Sequence, residues 1–92
     1  MLHPPAHPGE ILADKLDKLG INAAELARAI QVPANRISQI IAGKRAITAD
    51  TALRLGKWFD TSPHIWLKLQ QVYELYHARK KIDPVLRNIS QR

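Results

Sequence analysis

The chain has 92 residues, 46% hydrophobic and 24% charged, a composition typical of one ordinary globular domain. It contains no cysteine, which excludes disulfides and thiolate metal sites. It also has no apolar run of the ~20 residues that cross a bilayer and no signal-peptide pattern in residues 1–5, so we expect a cytoplasmic protein. The net charge of +6 permits binding to nucleic acid, but it also fits a merely soluble surface.

Five helical segments and no convincing strand are predicted, which makes the expected fold all-α. After a proline-rich start that we expect to be extended, the first helix opens near Pro8 and ends at Gly20. The second helix starts at the N-cap Asn22, and Glu25 completes a capping box. The residues spaced to face the core in these two helices are Leu12, Leu16, Leu19, Leu26 and Ile30.

The third helix begins after Pro33, runs from Ala34 to Ala42 and stops at Gly43. A short loop, residues 44–47, leads to Thr48, which we predict to be the N-cap of the fourth helix. The residues expected to face the core in these two helices are Ile37, Ile40, Ile41, Leu53 and Phe59.

The fifth helix starts at Ser62 and Pro63 and is expected to run to about Lys81 as the longest element. Two adjacent apolar stripes of the fifth helix together cover a wider arc of its surface than packing in a four-helix core requires. This excess of apolar surface predicts a homodimer interface; the alternative is that both stripes belong to the core. The residues expected at that interface are Ile65, Trp66, Leu69, Val72, Tyr73 and Tyr76. Residues 1–81 then form one domain that includes this interface, and residues 82–92, which include Pro84, form a loosely ordered basic tail.

The second and third helices carry the pattern of a helix-turn-helix, in which two short helices joined by a turn of roughly three or four residues cross steeply. Ala27 is small enough for the helices to approach, and the outer face of the third helix has hardly any charge. Asn and Gln can form bidentate hydrogen bonds with adenine in the major groove, whereas an ordinary solvated face carries paired Lys and Glu. The predicted base-contacting residues are Ala34, Asn35, Ser38 and Gln39; an ordinary uncharged surface helix is the alternative.

Basic side chains flank this face, and the positive charge increases along the chain. Residues 1–42 carry four basic and four acidic side chains, residues 43–62 four and two, and residues 63–92 six and two. Basic side chains and helix N-termini both bind phosphate. The predicted phosphate contacts are Asn22, Arg36, Lys44, Arg45 and Thr48.

The chain resembles the xenobiotic-response-element class of helix-turn-helix proteins, to which phage repressors belong, and within it the HigA (VapI-type) antitoxins. The matching segments are residues 7–12, 24–30, 36–41, 43–55, 61–63 and 66–70, with Tyr73. The resemblance implies a five-helix phage-repressor-like domain that binds, as a dimer, an inverted repeat in its own promoter. It also implies a toxin partner, HigB, similar to the RelE ribosome-dependent mRNA endonucleases.

Three departures from the family pattern stand out: Gln31 replaces the turn glycine, Ala42 replaces asparagine and Gly56 replaces alanine. Gln31 in a left-handed conformation costs about 1 kcal/mol, which the fold can tolerate. The HigB-like toxins that the resemblance implies are usually basic, so a chain with a charge of +6 is expected to contact one through apolar packing and local ion pairs.

Other chemistries are not supported. The four histidines, His3, His7, His64 and His77, are more typical of a surface than of a metal site, and we expect neither a metal nor another cofactor. No residue set suggests a nucleophile with its base, so an enzyme is not predicted. Three classes of function stay open: an antitoxin that also represses, a solitary repressor, and an interaction module that no longer binds DNA.

Overall fold

The computed structural model describes residues 3–92, so Met1 and Leu2 of the predicted 1–81 domain lie outside it. Within residues 3–92 the chain forms five α-helices and no strand, which confirms the predicted all-α fold. The helices are α1 (Pro8–Leu19), α2 (Ala23–Ile30), α3 (Ala34–Ile41), α4 (Ala49–Phe59) and α5 (Pro63–Arg87). No helix in this described part combines the length and hydropathy that a membrane span requires.

Local chemistry sets several of the helix ends where the sequence predicts them. Asn22 and Glu25 form the predicted capping box, with two reciprocal bonds of 2.9 Å between one residue's side chain and the other's backbone N–H. Gly20 ends α1 in the left-handed region at a φ of 71°. Gln31 ends α2 in the same region at a φ of 61°, which confirms that a non-glycine residue occupies this strained position.

The core lies where α2, α3 and α4 meet α1 and the first half of α5. Its fully buried side chains include Leu12, Leu26, Ile37, Ile40 and Leu55. Two predictions about the core were wrong, since Leu19 is 56% exposed and Leu53 is 61% exposed. α4 buries the face formed by Ala52, Leu55 and Gly56, and Leu53 points away from it. Leu19 lies on the predicted stripe but at its very end, one residue before the chain turns at Gly20.

Helix α5 extends six residues beyond the predicted end at Lys81, so the prediction of a loosely ordered tail from residue 82 was wrong for residues 82–87. Pro84 disfavours helix in the residue before it and lacks an N–H donor, which is why the sequence predicts an earlier end. The carbonyl that loses its helical partner belongs to Lys80, which is exposed, so water can replace the missing bond. An ion pair of 2.8 Å between Asp83 and Arg87 spans the last turn.

Candidate nucleic-acid interface

Helix α3 presents the predicted base-contacting residues together on the surface. Ala34, Asn35 and Ser38 are exposed and Gln39 is half-buried. The opposite face of α3 is anchored by Ile37 and Ile40, both completely buried. A short helix held from beneath in this way presents small and amide side chains to a flat polar partner such as the major groove.

The candidate base-contacting side chains differ in how free they are. The Ser38 hydroxyl donates a hydrogen bond of 3.3 Å to the backbone carbonyl of Asn35, so part of its capacity is used within the helix. No hydrogen bond within the described part of the chain engages the side-chain amides of Asn35 or Gln39. Asn35 and Gln39 are therefore the stronger candidates for base contacts.

The loop after α3 carries Lys44 and Arg45, both exposed and without an ion pair among residues 3–92. The backbone of this loop is held firmly at both ends. The Lys44 N–H donates to the Gln39 carbonyl at 2.9 Å, and the Ile47 N–H donates to Oε1 of Gln70 at 2.8 Å. Gln70 is a buried residue of α5, so the long helix fixes the loop that presents the two cations.

Arg36 does not project freely, in contrast to Lys44 and Arg45. Its Nη1 lies 2.8 Å from Oδ1 of Asp50 in the first turn of α4, and its side chain is only 27% exposed. A phosphate near Arg36 would therefore share the guanidinium with this carboxylate. Arg36, Arg45, Thr48 and Asp50 line one open pocket between the loop and α4.

The two helix N-termini predicted to bind phosphate are not equivalent. At the start of α2, the capping box places the Glu25 carboxylate against the backbone N–H of Asn22, which opposes an approaching anion. At the start of α4, Thr48 is the N-cap residue, but its side chain forms no capping hydrogen bond, so the first N–H groups remain open. The first turn of α4 also carries a carboxylate, Asp50, but Arg36 and Arg54 each pair with it at 2.8 Å. Because that negative charge is compensated, the start of α4 is the better phosphate site on electrostatic grounds.

One predicted dimer residue is placed elsewhere by the structure. Trp66 is 2% exposed within its own protomer, where it packs against Phe59 with ring centroids 5.7 Å apart, so its assignment to a dimer interface was wrong. Ile65 is 49% exposed and Val72 is 44% exposed, while the other predicted interface residues are half-buried: Leu69, Tyr73 and Tyr76. Ile65, Leu69 and Val72 line an almost entirely apolar groove with Pro5, Ala6 and Ile11.

His7 is buried, so the prediction of a surface histidine was wrong at this position. Its Nδ1 accepts a hydrogen bond of 2.8 Å from the Gly9 N–H, which makes it the N-cap of α1. Its ring packs edge-on against Tyr73 at 4.8 Å. Burial lowers the pKa of His7 below 6.5, against the opposing effect of Glu10 and Glu74. Within residues 3–92, no three side chains of His, Asp or Glu gather in an arrangement that could hold a metal ion.

Sequence reasoning missed three polar residues that organise this surface: Asp50, Arg54 and Gln70. The spacing of Asp50 and Arg54 predicts an ion pair within the helix. It does not predict the hydrogen bonds that Arg54 donates to the backbone carbonyls of Ile30 and Gln31, which lie 24 and 23 residues earlier in the chain. Gln70 is a polar residue one turn after the buried Trp66, and that position is the only signal of its role. Each of these side chains acts on a distant segment of the chain.

The fold and the surface define a class of protein. A left-handed turn joins two short helices, the second of which exposes an uncharged polar face followed by a basic loop, as in helix-turn-helix DNA-binding proteins. The family model described as "Helix-turn-helix" matches residues 12–66, more than half of the chain.

Known proteins narrow this class. The chain is 44% identical over 78 residues to virulence-associated protein I of Dichelobacter nodosus, covering 84% of this chain and 72% of that protein. It is similar to the structure of a HigA-family addiction module antidote protein from Coxiella burnetii, with a TM-score of 0.93, 44% identity and coverage of 98% and 99% of the two chains. It is also similar to the Pseudomonas aeruginosa antitoxin HigA solved with the higBA promoter, with a TM-score of 0.89, 41% identity and coverage of 95% and 96%.

The chain therefore belongs to the helix-turn-helix family, in its HigA branch, a group of DNA-binding regulators and not of enzymes.

Proposed function

We propose that this chain is the antitoxin of a type II toxin–antitoxin module, a homodimer that represses its own promoter and neutralises a HigB-like mRNA endonuclease. The observation that carries the proposal is the exposed, uncharged face of α3 beside a basic loop, on a fold shared with an antitoxin solved with its promoter. Such a repressor acts on the nucleoid DNA in the cytoplasm.

In this proposal α3 enters the major groove. Asn35 and Gln39 hydrogen-bond to base edges, Ala34 contacts a thymine methyl group and Ser38 contacts a base or sugar. Phosphate is bound by the flanking groups Arg36, Lys44 and Arg45 and by the helix N-terminus at Thr48. The N-terminus at Asn22 contributes less, because the Glu25 carboxylate already occupies its N–H group. Two protomers place their α3 helices about 34 Å apart, one turn of DNA.

DNA recognition is tested by titrating the protein with a duplex from directly upstream of its gene and with a shuffled duplex. Gln39→Ala is expected to cost about 1 to 3 kcal/mol on the promoter duplex and little on the shuffled one, because it removes a base contact. Arg45→Ala is the comparison: it should weaken both duplexes alike and reduce the salt slope by about one. Equal losses on both duplexes for Gln39→Ala would contradict its role.

The second copy is expected to pack on α5. Ile65 and Val72 are exposed in the protomer, and they adjoin the apolar groove beside the N-terminal segment. Val72→Asp should therefore yield a folded monomer in gel filtration coupled to light scattering. Leu53→Asp is the matched control, because Leu53 is also exposed but lies on α4. A wild-type monomer at micromolar concentration would contradict the dimer.

The toxin role is tested by growth. The small reading frame beside this gene is induced alone and together with this chain. Arrest by the neighbour, relieved by co-expression and accompanied by a complex that co-purifies, would support the antitoxin role. A harmless neighbour or a failed rescue would favour a solitary repressor with the same DNA-binding surface.

A further inference from the structure

Two residues of α4 hold both sides of the turn in the helix-turn-helix. On the α2 side, Nη1 of Arg54 donates hydrogen bonds to the carbonyls of Ile30, at 2.8 Å, and Gln31, at 3.0 Å. On the α3 side, Oδ1 of Asp50 accepts a hydrogen bond of 2.8 Å from Nη1 of Arg36. Arg54 and Asp50 are joined to each other by a third contact, from Nε of Arg54 to the same Oδ1 at 2.8 Å. We call Arg36, Asp50 and Arg54 the turn clamp.

The turn clamp satisfies groups that the local structure leaves open. The last carbonyls of a helix have no partner within it, and Arg54 supplies one to the carbonyls at the end of α2. Gln31 adopts a left-handed conformation without being glycine, and Arg54 holds the carbonyl of this strained residue. A guanidinium is suited to this task because its planar set of five N–H donors can bind two carbonyls and a carboxylate at once.

The exposure of the clamp argues against a role in stability alone. The side chains of Arg36, Asp50 and Arg54 are 27%, 58% and 38% exposed, and ion pairs this accessible to water contribute little net free energy. The hydrogen bond from Arg54, and to a lesser extent the one from Arg36, holds the pKa of Asp50 below its usual value. The carboxylate of Asp50 therefore stays charged at any pH used for DNA binding. What the clamp does provide is a fixed geometry between α4, the turn and the first turn of α3.

We propose that Arg54 and Asp50 are positioning residues for DNA recognition: they bridge the turn and thereby set the orientation in which α3 presents Asn35 and Gln39 to the bases. This inference rests on the proposed DNA-binding function. Bidentate contacts with bases require exact placement of a helix only eight residues long, whereas contacts with phosphate tolerate small shifts. Loss of the clamp therefore lowers selectivity more than it lowers binding to DNA in general.

The test compares Arg54→Gln with Lys57→Gln, which removes the same charge from an exposed residue of the same helix that has no ion pair among residues 3–92. Affinities for the promoter duplex and for a shuffled duplex are measured by fluorescence anisotropy at several salt concentrations, after circular dichroism has established folding. Relative to Lys57→Gln, Arg54→Gln is expected to bind the promoter duplex about tenfold more weakly or worse. Its affinity for the shuffled duplex and its salt slope should match those of the control.

Two results would overturn the inference. An equal loss on both duplexes, with a salt slope lower by about one than that of the control, would make Arg54 a phosphate contact. An unchanged affinity for the promoter duplex, with only the melting temperature lowered, would make the clamp purely structural. Wild-type protein that binds both duplexes alike would instead refute the proposed function itself.

Asp50→Asn provides a second variant that keeps the shape of the side chain in an exposed position. The turn clamp predicts that the ratio of promoter to shuffled affinity falls severalfold, since Arg36 and Arg54 lose their common anion. If Asp50 acts only as a negative charge near the DNA, its removal raises both affinities alike and leaves the ratio unchanged. That second outcome would also overturn the inference, even if Arg54→Gln failed to fold.

Discussion

Substituting Gly9 by alanine tests how closely α1 approaches α3. A Cβ atom built on Gly9 lies 1.8 Å from the carbonyl oxygen of Ile40 and 2.7 Å from its carbonyl carbon, both in the backbone of α3. An ordinary contact begins near 3.4 Å, so the two helices would have to separate by about 1.6 Å. Backbone atoms cannot rotate aside as a side chain can, and the whole contact between α1 and α3 must shift.

Two effects of opposite sign compete in Gly9→Ala. Helix propensity alone favours alanine over glycine by about 0.5 to 1 kcal/mol. Overpacking a tight contact costs about 1 to 3 kcal/mol, and a collision with backbone belongs at the upper end of that range. We therefore expect the free energy of unfolding to fall by about 1 to 2.5 kcal/mol. Since Ile40 anchors α3, affinity for the promoter duplex should fall as well.

The assay is urea unfolding, monitored by tryptophan fluorescence. The protein concentration is kept fixed, because the stability of a dimer depends on it. Gly20→Ala is the comparison: a Cβ there meets nothing within 4 Å, but the φ of 71° costs about 1 kcal/mol. Only Gly9→Ala should affect DNA binding, because a Cβ on Gly20 would not touch α3. A Gly9→Ala variant as stable as the wild type would refute the close approach of α1 and α3.

Three further predictions concern the turn, the loop and the buried His7. Gln31→Gly removes the strain of a left-handed glutamine but adds backbone entropy to the unfolded chain. Urea unfolding should therefore show a stability equal to or slightly above that of the wild type, and a loss above about 1 kcal/mol would contradict this. Gln70→Leu leaves the buried N–H of Ile47 without an acceptor, and we expect urea unfolding to show a loss of about 1 to 3 kcal/mol. Because the folded-state pKa of His7 lies below its unfolded value of 6.5, the unfolded chain binds more protons, so the melting temperature should fall as the pH drops from 7 through 6.5 and below. The same scan on His7→Asn, which keeps an N-cap side chain, should show a smaller decrease; an equal decrease would assign it to other groups.

Much of the fold could be predicted because its signals are local. The capping box of Asn22 and Glu25 joins residues three apart, and Gly20 and Gln31 end their helices through their own backbone angles. The candidate DNA surface could also be predicted from the sequence. The four predicted base-contacting residues of α3 lie opposite the buried Ile37 and Ile40, as its helical period requires. Their contacts with DNA stay a prediction.

The predictions that failed depended on what lies against each face. Periodicity places Trp66 on an apolar stripe of α5, but only packing decides that it fills its own core instead of facing a second copy. Leu53 is apolar and was therefore expected in the core, but the face of α4 that α2 and α5 cover is the one that carries Ala52 and Leu55. The predicted end of α5 is too early because Pro84 removes one hydrogen bond of the helix, and the sequence does not show that the Lys80 carbonyl is exposed to water, which can replace this bond.

By itself the sequence determined the five helices, the helix-turn-helix and its uncharged outer face, because each depends on residues within one or two helical turns of one another. The tertiary structure alone decided that Leu53 is exposed, that Trp66 is core and which polar side chains organise the candidate DNA-binding surface. Arg54 reaches the carbonyls of Ile30 and Gln31, and Gln70 reaches the backbone of Ile47, over 23 or 24 residues of chain. Such contacts exist only after the hydrophobic core has brought α4 and α5 against the turn and the loop, so no local pattern records them.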